Sequence, residues 1–201
     1  MAERGRPRGF DRDAALRRAM EVFWERGYDG ASMSDLTAAM GINSPSLYAA
    51  FGDKEALFRA AVELYGRTEG SHTARALREE PTAYAAIAAM LRGNVVTYTD
   101  PCLPHGCMVV LAGATYTPRT APVREFLVEA RRRTTADIRA RLDRGVRDGD
   151  LKPDTDTAAL AALYSTVLYG LSIQARDGVG SAELRAAVDS ALTVLAAART
   201  G

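Results

Sequence analysis

Residues 32–58 read S-M-S-D-L-T-A-A-M-G-I-N-S-P-S-L-Y-A-A-F-G-D-K-E-A-L-F, and their start and stop signals decide the fold. Ser32 followed by Asp35 forms a capping box, so a helix begins there. Leu36, Ala39 and Met40 give that helix one apolar face, and Gly41 supplies the left-handed residue that ends it. Asn43 or Ser44 caps a second helix, and Pro45 suits its first position, where no backbone donor is needed. This second helix is about two turns long, Pro45 to Phe51. Leu47 turns inward with Ile42, which leaves Ser44, Ser46, Tyr48 and Ala49 outward. A short helix set across another by a glycine turn, presenting small polar groups and a tyrosine, has the geometry of a DNA-reading helix-turn-helix.

The tail of the segment, L-Y-A-A-F-G-D-K-E-A-L-F from Leu47 to Phe58, resembles the hallmark of the TetR (TetR/AcrR) family of transcriptional regulators. There a tyrosine and a phenylalanine precede a lysine and a leucine that open a fourth helix. Upstream, F-W-E-R-G-Y-D-G-A-S from Phe23 to Ser32 is similar to the family's first-helix end and Gly-aromatic turn. The likeness is specific over residues 10–65 and mostly architectural beyond them. It implies a ligand-responsive DNA-binding regulator, most often a repressor released from its operator by a small molecule.

Composition is compatible with that. The chain has 201 residues, 47% of them apolar, enough for a substantial core in one or two domains. It is rich in Ala, Leu and Arg, which favours helices. Net charge is +1, and residues 1–54 balance eight Lys/Arg against eight Asp/Glu, so a positive DNA footprint must come from arrangement. Arg4, Arg6 and Arg8 lie in a Gly/Pro-rich arm opposed only by Glu3; such an arm follows phosphates or enters the minor groove, or is simply a solubilising terminus. No signal peptide is visible, no membrane span is expected, and two cysteines make no disulfide framework. The expected location is cytoplasmic.

Periodicity predicts an all-α chain of about nine helices: Asp11–Arg26, the pair above, a fourth from Asp53 continuing towards Arg78, and then Pro81–Tyr98, Cys107–Ala112, Ala121–Asp148, Thr155–Arg176 and Ser181–Ala198. Residues 1–52 form a helix-turn-helix head with its basic arm. Residues 53–201 form a larger helical body for ligand binding and dimerisation. Propensity alone would allow a strand at C-M-V-V-L-A, but an unpartnered strand among helices is disfavoured. Trp24 is placed at the edge of the first helix.

Candidate DNA contacts, by match to the family's contact positions, are Ser44, Pro45, Ser46 and Tyr48, with Ser34 and Lys54 beside phosphates. Ala49 and Ala50 offer methyl groups to thymine. One head reads too few base pairs for genomic specificity, so a homodimer on a near-palindromic double-stranded operator is expected. Its interface is expected on the last two helices, at Leu160, Leu163, Val167, Leu171, Leu184, Val188 and Leu192. Tyr84, Leu91, Tyr98, Met108, Tyr116, Phe126, Tyr164 and Tyr169 are candidates for a pocket that takes an apolar or aromatic effector.

Cys102, His105 and Cys107 stand within six residues. That spacing offers an alternative, metal or redox sensing, although Cys107 begins an apolar run where cysteine acts as a small hydrophobe. No resident metal or cofactor is expected. Arg131-Arg132-Arg133 reads as a solvated helix face. The chain contains no G-x-S-x-G, phosphate loop, G-x-G-x-x-G or H-E-x-x-H, so an enzyme is not expected. A helical adaptor without DNA binding is the remaining class.

Overall fold

In the computed structural model, residues 10–113 and 118–200 are described, without the side chain of Arg119. The arm residues Arg4, Arg6 and Arg8, and Tyr116 of the expected pocket, lie outside the described residues. The described residues hold ten α-helices and one 3-10 turn, one helix more than the periodicity predicts.

The extra helix comes from a break. α1 (Arg12–Gly30), α2 (Met33–Met40) and α3 (Ser44–Phe51) precede α4 (Lys54–Arg67), which stops at Thr68 instead of running to Arg78. Thr68 Oγ1 donates to the Leu64 carbonyl. Gly70 then passes so close to Tyr65 that a Cβ there would lie 2.7 Å from the ring. α5 (Ser71–Glu79) restarts behind it, followed by α6 (Ala83–Tyr98), the short α7 (Met108–Leu111) and a 3-10 turn (Pro118–Thr120). α8 (Ala121–Asp148) has the predicted bounds, ended by Gly149 at φ 83°. α9 (Thr157–Arg176) and α10 (Ser181–Ala197) close the chain, and an isolated antiparallel bridge between Leu151 and Arg199 ties the end of α10 to the α8–α9 loop.

The first helix also runs on past its expected end. Gly27 adopts φ 71°, ψ 176°, a break that a side chain would resist, and the helix resumes to Gly30. Two apolar cores organise the molecule. One joins α6, α8, α9 and α10 around Ile87, Leu91, Tyr164 and Leu184. The other is built by α1 to α4 around Phe23, Leu36, Leu47 and Phe58, and takes in Met108, Ala112, Val123 and Leu127 from α7 and α8. The head's core therefore continues across residue 52 into the body. Trp24 belongs to that core at 1% exposure, not to an edge; its partner is the ring of Tyr65, edge-on at 4.9 Å.

α9 meets the length and mean hydropathy (1.3) of a membrane span, against expectation. Its buried residues nevertheless fall on one side, Leu160, Ala161, Tyr164, Leu168, Leu171 and Ala175, packed on α6, α8 and α10. It is the amphipathic core helix of this bundle.

Candidate functional site

The helix pair is built as its caps dictate. Ser32 Oγ accepts from the Asp35 amide at 3.0 Å and the Asp35 carboxylate accepts from the Ser32 amide at 3.0 Å, a complete capping box. Asp35 also meets Arg26 at 2.7 Å, which ties α2 to α1. Hydrogen bonds from Ser32, then Arg26, hold the Asp35 carboxyl down at about 2. A carboxyl depressed in the folded state stabilises above its ordinary value near 4 and loses that contribution as pH falls through about 2. The thermal midpoint should therefore fall between about pH 4 and pH 2, and Asp35→Asn should remove that component of the pH dependence in thermal melts. Of the two candidate caps for α3, Asn43 serves: its side chain accepts from the Ser46 amide at 2.9 Å.

Leu47 and Phe51 anchor α3 in the head's core. The opposite side is open, with Ser44, Pro45 and Ala49 exposed and Tyr48 exposed by 52%. Ser34 is exposed on α2, and Ser46 is half-buried. Ala50, by contrast, packs against the head's core. Lys54 opens α4, three residues after α3 ends, and its ammonium lies 4.4 Å from the centre of the Tyr28 ring of α1. The geometry is a short rigid helix with an uncovered tyrosine and hydroxyl face, flanked by a cation.

Behind the head lies a cavity of about 210 Å³. Tyr98 and Tyr169, both expected there, line it. So do Tyr65 of α4, Asn94 of α6, Cys107, and Arg131 and Thr134 of α8. Burial, then the neighbouring Cys107 thiol, push the Tyr65 and Tyr98 phenols well above their ordinary value, so both remain protonated donors. The other expected pocket residues pack elsewhere. Leu91 and Met108 are 0% exposed in the two cores. Tyr164 donates to the Ala191 carbonyl at 3.1 Å on the α10 side, Tyr84 sits under Arg199, and Phe126 sits under Arg59. α6 buries more than one face, so inward periodicity does not separate cavity from core.

Arg131 corrects the solvated reading of its triplet. It is half-buried, its Nη1 donates to the Val109 carbonyl at 2.8 Å, and Tyr169 Oη donates to the Arg131 carbonyl at 2.8 Å. Cys102 is exposed in a groove beside Arg18 and Arg26, whereas Cys107 faces the cavity. The two thiols thus look into separate spaces. Among the described residues no three His, Cys, Asp or Glu side chains gather to hold a metal ion.

The cavity wall is bonded to the head. Trp24 Nε1 donates to the Gly106 carbonyl at 3.0 Å, and the Tyr28 amide donates to the Ala112 carbonyl at 3.2 Å. Arg176, at the end of α9, donates to the Trp24 and Glu25 carbonyls at 2.8 and 3.3 Å, capping the first segment of α1. The Cys107 amide donates to Ser172 Oγ at 2.8 Å.

An exposed reading helix, a cavity in the body and direct bonds from the cavity side to α1 of the head define a helix-turn-helix regulator of transcription. Residues 15–61 match the profile of the tetR family of bacterial regulatory proteins, and residues 83–177 match a tetracyclin repressor-like C-terminal domain. The chain belongs to the TetR family. It is 34% identical over 182 residues to the HTH-type transcriptional repressor ComR of Escherichia coli (strain K12), covering 90% of this chain and 87% of that protein. It is 30% identical over 174 residues to the repressor BdcR of the same organism, covering 87% and 83%. Among solved structures, the TetR family regulator CifR, as a cysteine mutant complexed with 26-bp double-strand operator DNA, superposes with TM-score 0.91 at 49% identity, over 94% of this chain and 98% of that one.

Proposed function

We propose that the chain is a homodimeric repressor that binds a near-palindromic double-stranded operator and leaves it when a small molecule fills the cavity. Residues 1–52 act as the reading head and residues 53–201 as the effector-binding and dimerisation body, in the cytoplasm and without catalysis. The observation that carries this reading is the open face of α3, with Tyr48 uncovered on a helix whose other side is sealed in the core. The likeness to proteins named as repressors supports repression, and the operator complex of CifR supports the DNA partner. α3 lies in the major groove, with Ser44, Pro45, Ser46 and Tyr48 towards the DNA and Ser34 and Lys54 at phosphates.

Release follows from the bonds between cavity and head. Tyr65 and Cys107 are shared between the cavity wall and the elements that hold α1 and α4. An effector that prefers a wider cavity moves α7 and α4 together, and the heads lose register with successive grooves. A coupling of about 1–3 kcal/mol weakens operator binding about 5–150-fold.

The dimer surface needs a different residue set from the leucine stripe. Leu160, Leu171, Leu184, Val188 and Leu192 are buried in their own chain, and Leu163 and Val167 are half-buried. The uncovered face of α9 and α10 carries Ala159, Ala162, Thr166, Ile173 and Val194, the last two 49% and 48% exposed. Small side chains allow the helices of two copies to pack as a four-helix bundle. Ala162→Arg should give a folded monomer in sedimentation at micromolar concentration, with operator affinity reduced at least about tenfold through the lost second head.

The functional reading is tested by a gel shift with DNA upstream of the chain's own gene at two salt concentrations. Specific binding that weakens steeply with salt is expected. Absence of a shift with any genomic fragment would favour a helical adaptor.

A further inference from the structure

Beside the aromatic cavity runs a second space of opposite chemistry. It is a groove of about 350 Å³ along the seam of α5 and α8, lined by Arg78, Arg141, Arg144 and Arg147 with Asp137. Arg141 is 3% exposed. Its Nη2 reaches the Glu80 carbonyl at 3.3 Å, while its Nε and Nη1 are buried without a hydrogen-bond partner. A buried guanidinium with two unmet donors is costly and calls for an acceptor. Burial, then the like charge of Arg144, lower its pKa, while Asp150 and Asp148 act the other way. None of the surrounding acids bonds to it: Glu79 holds Arg78, and Asp150 Oδ2 accepts from the Ala83 amide. Asp150 Oδ1 is also unpaired and is the internal competitor for Arg141.

The groove and the cavity share Ala74 and Leu77 of α5 and Asp137 of α8. Thr134 in the cavity and Arg141 in the groove are about two turns apart on one helix, roughly 10 Å. The two spaces therefore adjoin along these three residues. We propose that the effector is an organic acid whose apolar body fills the aromatic cavity and whose carboxylate or phosphate ends on Arg141 and Arg144. Guanidinium groups match the planar, bidentate geometry of such anions. The inference rests on the effector reading above and narrows it to a chemical class.

The test is calorimetric titration of the full-length dimer with phenylhexanoate, its uncharged amide phenylhexanamide, and inorganic phosphate. The acid should bind at least about tenfold more tightly than the amide, as expected of charge-assisted hydrogen bonds. Arg141→Gln should bring that ratio close to one. Arg144→Gln with Arg147→Gln, a pair whose side chains are not buried and whose loss spares the core, should lower the ratio at least about threefold with Arg141 still in place. Amide binding should be unchanged in both. Equal binding of acid and amide, an acid advantage that survives both variants, inorganic phosphate binding as tightly as the acid, or no binding of any probe at millimolar concentration would overturn the proposal. DNA binding without probe is read separately in the gel shift, so failure of the regulator reading is distinguishable from failure of the acid site.

Discussion

Tyr48→Ala combined with Lys54→Ala is expected to weaken operator binding by about three orders of magnitude while leaving helicity and dimerisation intact. Tyr48 is 52% exposed and Lys54 is half-buried with its ammonium over the Tyr28 ring, so neither removal opens the core. A dimer presents each residue twice, and each phosphate contact is a charge-assisted or polar bond worth about 1 kcal/mol or more. The two lysines release counterions from about two phosphates, so Lys54→Ala alone should lower the salt slope of log affinity by about 2. Fluorescence anisotropy over a salt series reads both quantities, and circular dichroism reads folding. Unfolding of the double variant would show that these side chains are structural.

The second large effect is expected at Gly106. Its φ is +79°, and a Cβ there would stand 2.5 Å from the Ser172 carbonyl oxygen and 2.7 Å from Leu111 Cδ1. Its carbonyl accepts from Trp24 and its amide donates to the Tyr98 carbonyl at 3.1 Å. Gly106→Ala combines left-handed strain with overpacking at the junction of α1, α7 and α9, a cost of about 2–5 kcal/mol. For a chain of this size the thermal midpoint should drop by roughly 5–15 °C. Gly149→Ala is the matched control. Its φ is +83° with nothing within 4 Å of the added Cβ, so only the strain applies. A Gly106 variant no worse than this control would show that the junction is slack.

What was legible in the sequence follows from where the chemistry is local. The Ser32–Asp35 box, the Gly41 stop and Pro45 act within a few residues, and both short helices form as they dictate. Pro122 and Gly149 bound α8 in the same way. The break between α4 and α5 carries no proline; it is marked by Gly70, which packs against Tyr65 five residues earlier, a local signal that apolar periodicity does not weigh. The interface and cavity sets needed tertiary information. Leucines on α9 and α10 fill the chain's own core, and alanines and isolated β-branched residues remain outside. Arg131 read as surface charge because the residues that hold it, Val109 of α7 and Tyr169 of α9, lie about twenty and forty residues away in the chain.

The central claim is that two copies of α3 occupy successive major grooves of one operator. A hydroxyl-radical footprint of the dimer on the DNA fragment it retains tests this most directly. Two protected blocks related by a dyad, with centres about 34–36 Å apart or modestly more, are expected. A single block, or uniform protection unaffected by Tyr48→Ala, would contradict it.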